Sequence, residues 1–348
     1  MMSEHKSPLK AGDELGSYLI REFIGRGKDT EVYLAFAPEL KQDVAIKTLR
    51  LKTDLTAELT TCFREDMQAI AGLKHPNIMR IYDFDVTADR YYIIMELIQG
   101  TGLRDMISTH PTGLGRNDTV RIFSQLASAV AAAHDHHVVH GNIKPDNVLL
   151  DLKQRPVLTD FLIPCLHQRR VELGWTPNPT YLAPEQLTAN RAMPESDIYA
   201  LGILLYEMVT GDVPFKGKPQ AIIAQHQTVI PIPPAQVNVN LDPRIDRVIM
   251  KALNKQPMSR YLSARDMLAA LESEEVQGEF STVSLNRNEL QESRKRASEI
   301  KRFHETRLAD SEPVSGPSVS DSSPQIKWFG VAVLIIVIVI ILAAIVLF

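Results

Sequence analysis

Cysteine is nearly absent: Cys62 and Cys165 stand alone in 348 residues. Two thiols cannot form a disulfide framework, and their separation matches no metal-ligand spacing. Both read as plain core or surface thiols in a reducing compartment. An excess of positive charge is also missing, since 38 Lys and Arg stand against 42 Asp and Glu, a formal net charge of -4. Without a bulk positive field, nucleic acid drops out as a partner. The first sixteen residues, MMSEHKSPLKAGDELG, hold no apolar run and make no signal peptide, so the domain that follows is expected on the cytoplasmic side. No internal repeat is visible. What is present is 45% hydrophobic and 23% charged residues, enough for one large or two small globular domains with a sizeable core.

One apolar run breaks the globular pattern. Trp328 to Phe348, WFGVAVLIIVIVIILAAIVLF, carries no charge. At ~1.5 Å per residue such a helix spans the ~30 Å hydrocarbon core of a bilayer, and a core helix is rarely apolar on every face. Residues 327–348 are therefore expected to form a transmembrane helix, with Lys327 and Trp328 as interfacial anchors. Arg294, Lys295, Arg296, Lys301, Arg302 and Arg307 lie upstream, a bias that keeps the preceding domain cytoplasmic. The expected arrangement is a single pass with a C-terminal anchor.

Between Ser17 and Leu97 short β-like runs alternate with turns (SYLIREFIG, EVYLAFA, DVAIKTLR, IMRIYDFDV, YYIIMELI), interrupted by one helical pattern from Thr56 to Leu73. From Gly102 the spacing becomes helical, as in TVRIFSQLASAVAAAHDH and ESDIYALGILLYEMVTG. Residues 229–243 read as a proline-rich loop between helices, and two further helices are expected near 244–254 and 263–273. The division is an N-terminal tail (1–16), a domain at 17–272 with a strand-rich lobe (17–97) and a helical lobe (101–272), a charged then Ser/Pro-rich linker (273–326), and the apolar run. The fold class is α+β.

The chemistry lies in ordered motifs. IGRGKDTEVYLA, from Ile24, places Gly25 and Gly27 where backbone could approach phosphates, followed by Val32; Thr30 replaces a third glycine. VAIK ends at Lys47 on the next strand. Then follow FREDMQAIAGLKHPNI, HGNIKPDNVLL, LTDFLIP, TYLAPEQL and SDIYALGILLYEMVTGDVPF. In these motifs, residues 17–272 resemble the eukaryotic-like (Hanks-type) protein kinase family, and within it the bacterial membrane-bound serine/threonine kinases. The resemblance implies a two-lobed kinase fold with ATP and Mg²⁺ in the cleft. It assigns Lys47 to the phosphates, Asn147 and Asp160 to Mg²⁺, and Lys144 to the γ-phosphate, the last favouring Ser/Thr over Tyr ancestry. Glu96 and Leu97 fall in the adenine-binding hinge, and Ala45 and Leu149 sandwich the ring. Glu185 is expected to pair with Arg260, Asp197 to support the catalytic loop, and His134 and His140 to be structural rather than metal ligands.

The departures are as informative. Where the family carries H-R-D, this chain has His140, Gly141 and Asn142, and an amide can position a hydroxyl but cannot accept its proton. Gly141 also removes the arginine that reads an activation-loop phosphate, although Thr176 and Thr180 remain as sites. D-F-G has become Asp160, Phe161, Leu162, without glycine's freedom at the third position. Asp66 stands where a glutamate would pair with Lys47, one methylene shorter, and Asn178 replaces a threonine expected to contact the catalytic aspartate. The expected function is a pseudokinase: a membrane-anchored signalling protein that binds Mg·ATP, transfers phosphate weakly or not at all, and acts on an unidentified cytoplasmic protein, at a bacterial plasma membrane. The alternatives are an active serine/threonine kinase and a nucleotide-free scaffold.

Overall fold

The computed structural model describes residues 8–27, 30–50, 56–87, 90–169, 178–189 and 191–273. The linker from 274 on, the apolar run at 327–348 and Thr176 lie outside the described residues. Among those described, no helix is long and apolar enough to cross a membrane.

The first strands are β1 (Glu14–Leu15), β2 (Tyr18–Arg26), β3 (Thr30–Ala37) and β4 (Gln42–Arg50). They are followed by helix α1 (Ala57–Ala71) and strands β5 (Ile81–Val86) and β6 (Arg90–Glu96). The strands form one antiparallel sheet in the order β1-β2-β3-β4-β6-β5. Burial in β3 alternates residue by residue, as a strand with one packed face requires. By contrast β6 is buried along almost its whole length. Its side chains alternate between two cores: Tyr91 and Ile93 meet Phe63 and Met67 of α1, while Tyr92 and Ile94 meet Tyr33 and Ile46. The Thr56 side chain accepts from the Leu59 amide and caps α1, which fixes where the helix begins.

Next come β7 (Gly100–Gly102), α2 (Leu103–Ser108), α3 (Arg116–Asp135), β8 (Val148–Asp151), β9 (Pro156–Leu158), α4 (Pro164–Gln168) and α5 (Pro184–Ala189). The remaining helices are α6 (Pro194–Thr210), α7 (Pro219–Thr228), α8 (Pro234–Val237), α9 (Pro243–Ala252) and α10 (Ala264–Glu272). Strands β7, β8 and β9 make a second small sheet inside the helical half, a feature that helical spacing alone concealed. The expected loop at 229–243 contains α8. Helix α6 is buried on nearly every face and forms the axis of the lower core, with α3, α9 and α10 around it.

Two charged anchors fix this half. Glu185 takes a bidentate pair from Arg260, at 2.8 and 2.9 Å, and Arg260 is almost fully buried. Arg104 of α2 joins Glu207 of α6, Tyr181 and Asp146 into one network.

His226 of α7 is fully buried. Its Nε2 faces the Thr180 carbonyl at 3.2 Å, so that nitrogen carries the proton, and Nδ1 accepts from the Tyr199 hydroxyl at 2.9 Å. Burial, aided by the Lys255 ammonium, lowers its pKa to about 4. The unfolded chain's histidine titrates near ~6.5 and so takes up the proton first as pH falls. The stability held by neutral His226 is complete above the unfolded value and is lost as pH falls toward the native one. Between pH 7 and pH 5 it accounts for about 2 kcal/mol. Urea unfolding at both pH values should show this loss in the wild type and a flatter dependence in His226→Gln; identical dependences would contradict the assignment.

Candidate active site

The two halves meet at a cleft of about 470 Å³ whose lining includes Lys47, Asn142, Lys144, Asp160, Phe161 and Leu162. Lys47 projects from β4, between Val32 of β3 and Ile93 of β6 in register. Its Nζ lies 2.7 Å from Asp160 Oδ1. Burial opposes ionisation of Asp160, but the Lys47 ammonium, helped by Lys144, outweighs it and holds the carboxyl below its ordinary range. Asp160 sits at φ 63°, a left-handed conformation sparsely used by residues other than glycine. The adjoining backbone is tied down where the Leu162 amide donates to the His140 carbonyl at 2.8 Å.

The loop before β8 is held from below. Asp197 of α6, with no exposed surface, accepts from the His140 amide at 2.8 Å, the Gly141 amide at 2.7 Å and His134 Nε2 at 2.8 Å. His140 is fully buried, and burial lowers its pKa. Its Nε2 faces the Thr159 carbonyl and its Nδ1 accepts the Asn142 amide, which fixes a neutral ring. That ring packs on Phe161 with centroids 4.3 Å apart. Asn147, also buried, donates its side-chain amide to the Asn142 carbonyl at 2.7 Å, which leaves its Oδ1 as the acceptor of the pair. Asn142 Nδ2 reaches only to 3.5 Å from the Asp160 carbonyl, at the outer limit of a hydrogen bond.

An apolar slot adjoins these polar groups. Ala45, Met79, Met95 and Val157 are buried together, with Val32, Leu97, Ile98 and Leu149 packed against them. Gly25 pairs with Val32 across the β2–β3 ladder, and the Gly27 amide donates to the Thr30 carbonyl at 2.8 Å. Ile24 is exposed on β2. Glu96 ends β6, and its amide donates to the Arg80 carbonyl at 2.9 Å. Ile98, whose side chain joins the slot, escaped the sequence reading; its position directly after Leu97 was the available signal.

One expectation needs correction and two gain structural detail. Asp66 does not pair with Lys47: its Oδ2 accepts the Cys165 amide of α4 at 2.8 Å. The short carboxylate finds a closer donor there, and a charge-assisted bond of this kind is worth about 1.5–3 kcal/mol. Arg169 at the end of α4 reaches Glu58 of α1 at 2.9 Å, so α4 is tethered to α1 twice. Helix α4 was missed although Pro164 marks its first position, a helix-start signal. Secondly, the cysteines are free thiols, Cys62 half-buried and Cys165 buried, as expected, and α1 and α4 bring them into one cluster with Asp66. Thirdly, Gly141 is more than a missing arginine. Its φ is 70°, and a Cβ there would lie 3.0 Å from Leu162 Cδ2 and 3.1 Å from Ala192 Cβ. Leu162 therefore uses the room that Gly141 vacates. Asn178 accepts from the Thr180 amide and hydroxyl and turns toward its own loop.

Comparison with known proteins agrees with this geometry. The family profile described as "Protein kinase domain" matches residues 18–271. Serine/threonine-protein kinase PrkC of Bacillus subtilis is 37% identical over 266 residues, covering 74% of this chain and 40% of the relative. Serine/threonine-protein kinase PknB of Mycolicibacterium smegmatis is 33% identical over 267 residues, covering 73% of this chain and 42% of the relative. The chain thus spans about 40% of the length of these curated relatives. The solved PknI kinase domain of Mycobacterium tuberculosis shares the fold, with a TM-score of 0.64 at 24% identity over 76% of this chain and 98% of that one.

The packing of Leu162 over Gly141 makes a quantitative prediction. Gly141→Ala should cost about 1–3 kcal/mol through its left-handed backbone and the contact with Leu162. With Leu162→Ala added, the two losses should fall short of additive by about 1 kcal/mol, because the crowded partner is gone. Denaturant unfolding of both single variants and the double variant measures this; strict additivity would mean that Leu162 does not occupy the space.

Proposed function

This chain belongs to the protein kinase family, and from that premise we propose that it is a serine/threonine kinase-like signalling protein that binds Mg·ATP but lacks the base for efficient phosphotransfer. The observation that supports the reading is a set of polar side chains gathered around an amide in one cleft. Lys47 and Asp160 lie 2.7 Å apart, Asn147 is fixed on the Asn142 backbone, and Asn142, in the same cleft, would by the family resemblance face the reacting hydroxyl.

The residues fit the nucleotide. Val32, Ala45, Leu97, Ile98 and Leu149 would enclose the adenine, with the Glu96–Leu97 backbone at its edge. Gly25 and Gly27 would admit phosphates, Lys47 would neutralise them, and the oxygens of Asp160 and Asn147 are hard donors suited to Mg²⁺. Bound Mg·ATP supplies a γ-phosphoryl group whose charge the metal neutralises. The chain's own contribution is positional. Lys144, in the same cleft, brings a cation to the transferring group, and Asn142 can orient a hydroxyl without taking its proton. General-base assistance is worth about 10²- to 10⁴-fold, so its loss leaves at most a slow reaction that rests on orientation and charge. That residue of activity is the second reading, a working serine/threonine kinase, and the retained Lys144 favours it.

The membrane part of the proposal rests on the apolar run at 327–348 with Lys327, Trp328 and the upstream basic residues. It would hold the kinase-like domain at the cytoplasmic face of a bacterial plasma membrane, where an unidentified protein reads the nucleotide-dependent closure of the cleft.

Nucleotide binding is the direct test. In detergent, the full chain should melt higher with Mg·ATP, by about 2.7 kcal/mol of added stability at a hundredfold excess over Kd. Lys47→Ala should remove the shift, and Asp160→Asn should remove its dependence on Mg²⁺. No shift in the wild type would replace this reading with that of a nucleotide-free scaffold.

A further inference from the structure

The cluster between α1 and α4 has no part in nucleotide chemistry, yet it has the composition of a ligand set. Cys62 and Asp66 are four residues apart on α1 and so share one helix face. Helix α4 brings Cys165 against them, and one donor atom from each of the three lies within 4.8 Å of the others. Cys165 is buried, and Cys62 and Asp66 are half-buried. The Cys165 amide holds the Asp66 carboxylate at 2.8 Å, the kind of outer hydrogen bond that orients a ligating carboxylate. Burial first, then the neighbouring Asp66 and Cys62, push the Cys165 thiol well above its ordinary range.

We propose that Cys62, Asp66 and Cys165 bind a zinc ion that clamps α1 to α4. Two thiolates and a carboxylate are ligands zinc accepts, with water at the fourth tetrahedral corner. The two S–H protons leave to solvent as two Zn–S bonds and one Zn–O bond form. A disulfide would use the same two cysteines but leave the carboxylate with only its bond to the Cys165 amide. Zinc uses all three donors. A filled site commits Asp66 to the metal and keeps it from Lys47. This consequence for the nucleotide cleft rests on the function proposed above, whereas the metal site itself does not.

The test is cobalt(II) titration of the metal-free full chain under reducing conditions. One equivalent should produce a thiolate-to-cobalt charge-transfer band that zinc abolishes by displacement. Cys62→Ser and Cys165→Ser should each weaken binding at least about a hundredfold, the upper end of what loss of an outer partner costs. Circular dichroism of the metal-free variants establishes that they fold. Should buried Cys165→Ser fail to fold, Cys62→Ser and Asp66→Asn at the half-buried positions carry the comparison. Absence of the band, or a band that survives Cys62→Ser, overturns the site. So does a protein that binds no cobalt yet forms a Cys62–Cys165 disulfide with hydrogen peroxide. The readout is the metal's own spectrum, so failure here leaves Mg·ATP binding standing, and failure of Mg·ATP binding leaves the band intact.

Discussion

A single buried carboxylate organises the site. Asp197, inside α6, meets two consecutive backbone amides and an imidazole, all at 2.7 to 2.8 Å. A charge removed from water is tolerated only when donors surround it, so the loop from His140 to Asn142 must come to it. That demand sets the left-handed turn at Gly141, the seat of the His140 ring under Phe161, and the outlook of Asn142 into the cleft. None of it requires an aspartate at position 142. The geometry of this loop therefore holds with an amide at position 142.

Above that framework, two carboxylates have sorted between two donors. Asp160 takes Lys47, and Asp66 takes the amide at the start of α4. Both pairings are charge-assisted and join residues distant in sequence, and the second ties α4 to α1. The exchange of volume between positions 141 and 162 acts in the same direction. A side chain absent from the loop is matched by one gained after Phe161, so the segment leading into α4 rests on the loop instead of swinging freely above it. In the proposed function such a cleft binds Mg·ATP while its chemistry is limited to what orientation supplies.

Much of this was legible in the sequence because it depends on residue type at fixed spacing. Alternation found β2, β3, β4 and β6, three-and-four spacing found α3 and α6, and the ordered motifs found Lys47, Asn142, Asn147, Asp160, Asp197 and the Glu185–Arg260 pair. The remainder depends on contacts that have no local signature. Asp66 is held by a backbone amide far along the chain, and no side-chain pattern encodes an amide's position. Cys62 and Cys165 become neighbours only once α4 packs on α1. Gly141 reads as a deletion in sequence and as a packed left-handed turn in space, because the neighbour that fills its room, Leu162, comes from a different motif. The strands β7 to β9 are short and lie within a helical context, where periodicity gives no signal.

The proposed function requires a nucleotide site that is assembled but stopped at one atom, where an amide nitrogen stands in place of a carboxylate oxygen. Transfer of labelled γ-phosphate to the chain itself and to a generic basic protein tests this directly, with Asn142→Asp beside the wild type. The account predicts little or no label from the wild type and at least a hundredfold more from Asn142→Asp, the lower end of what a general base contributes. Equal labelling by the two proteins, or none from either, would contradict it.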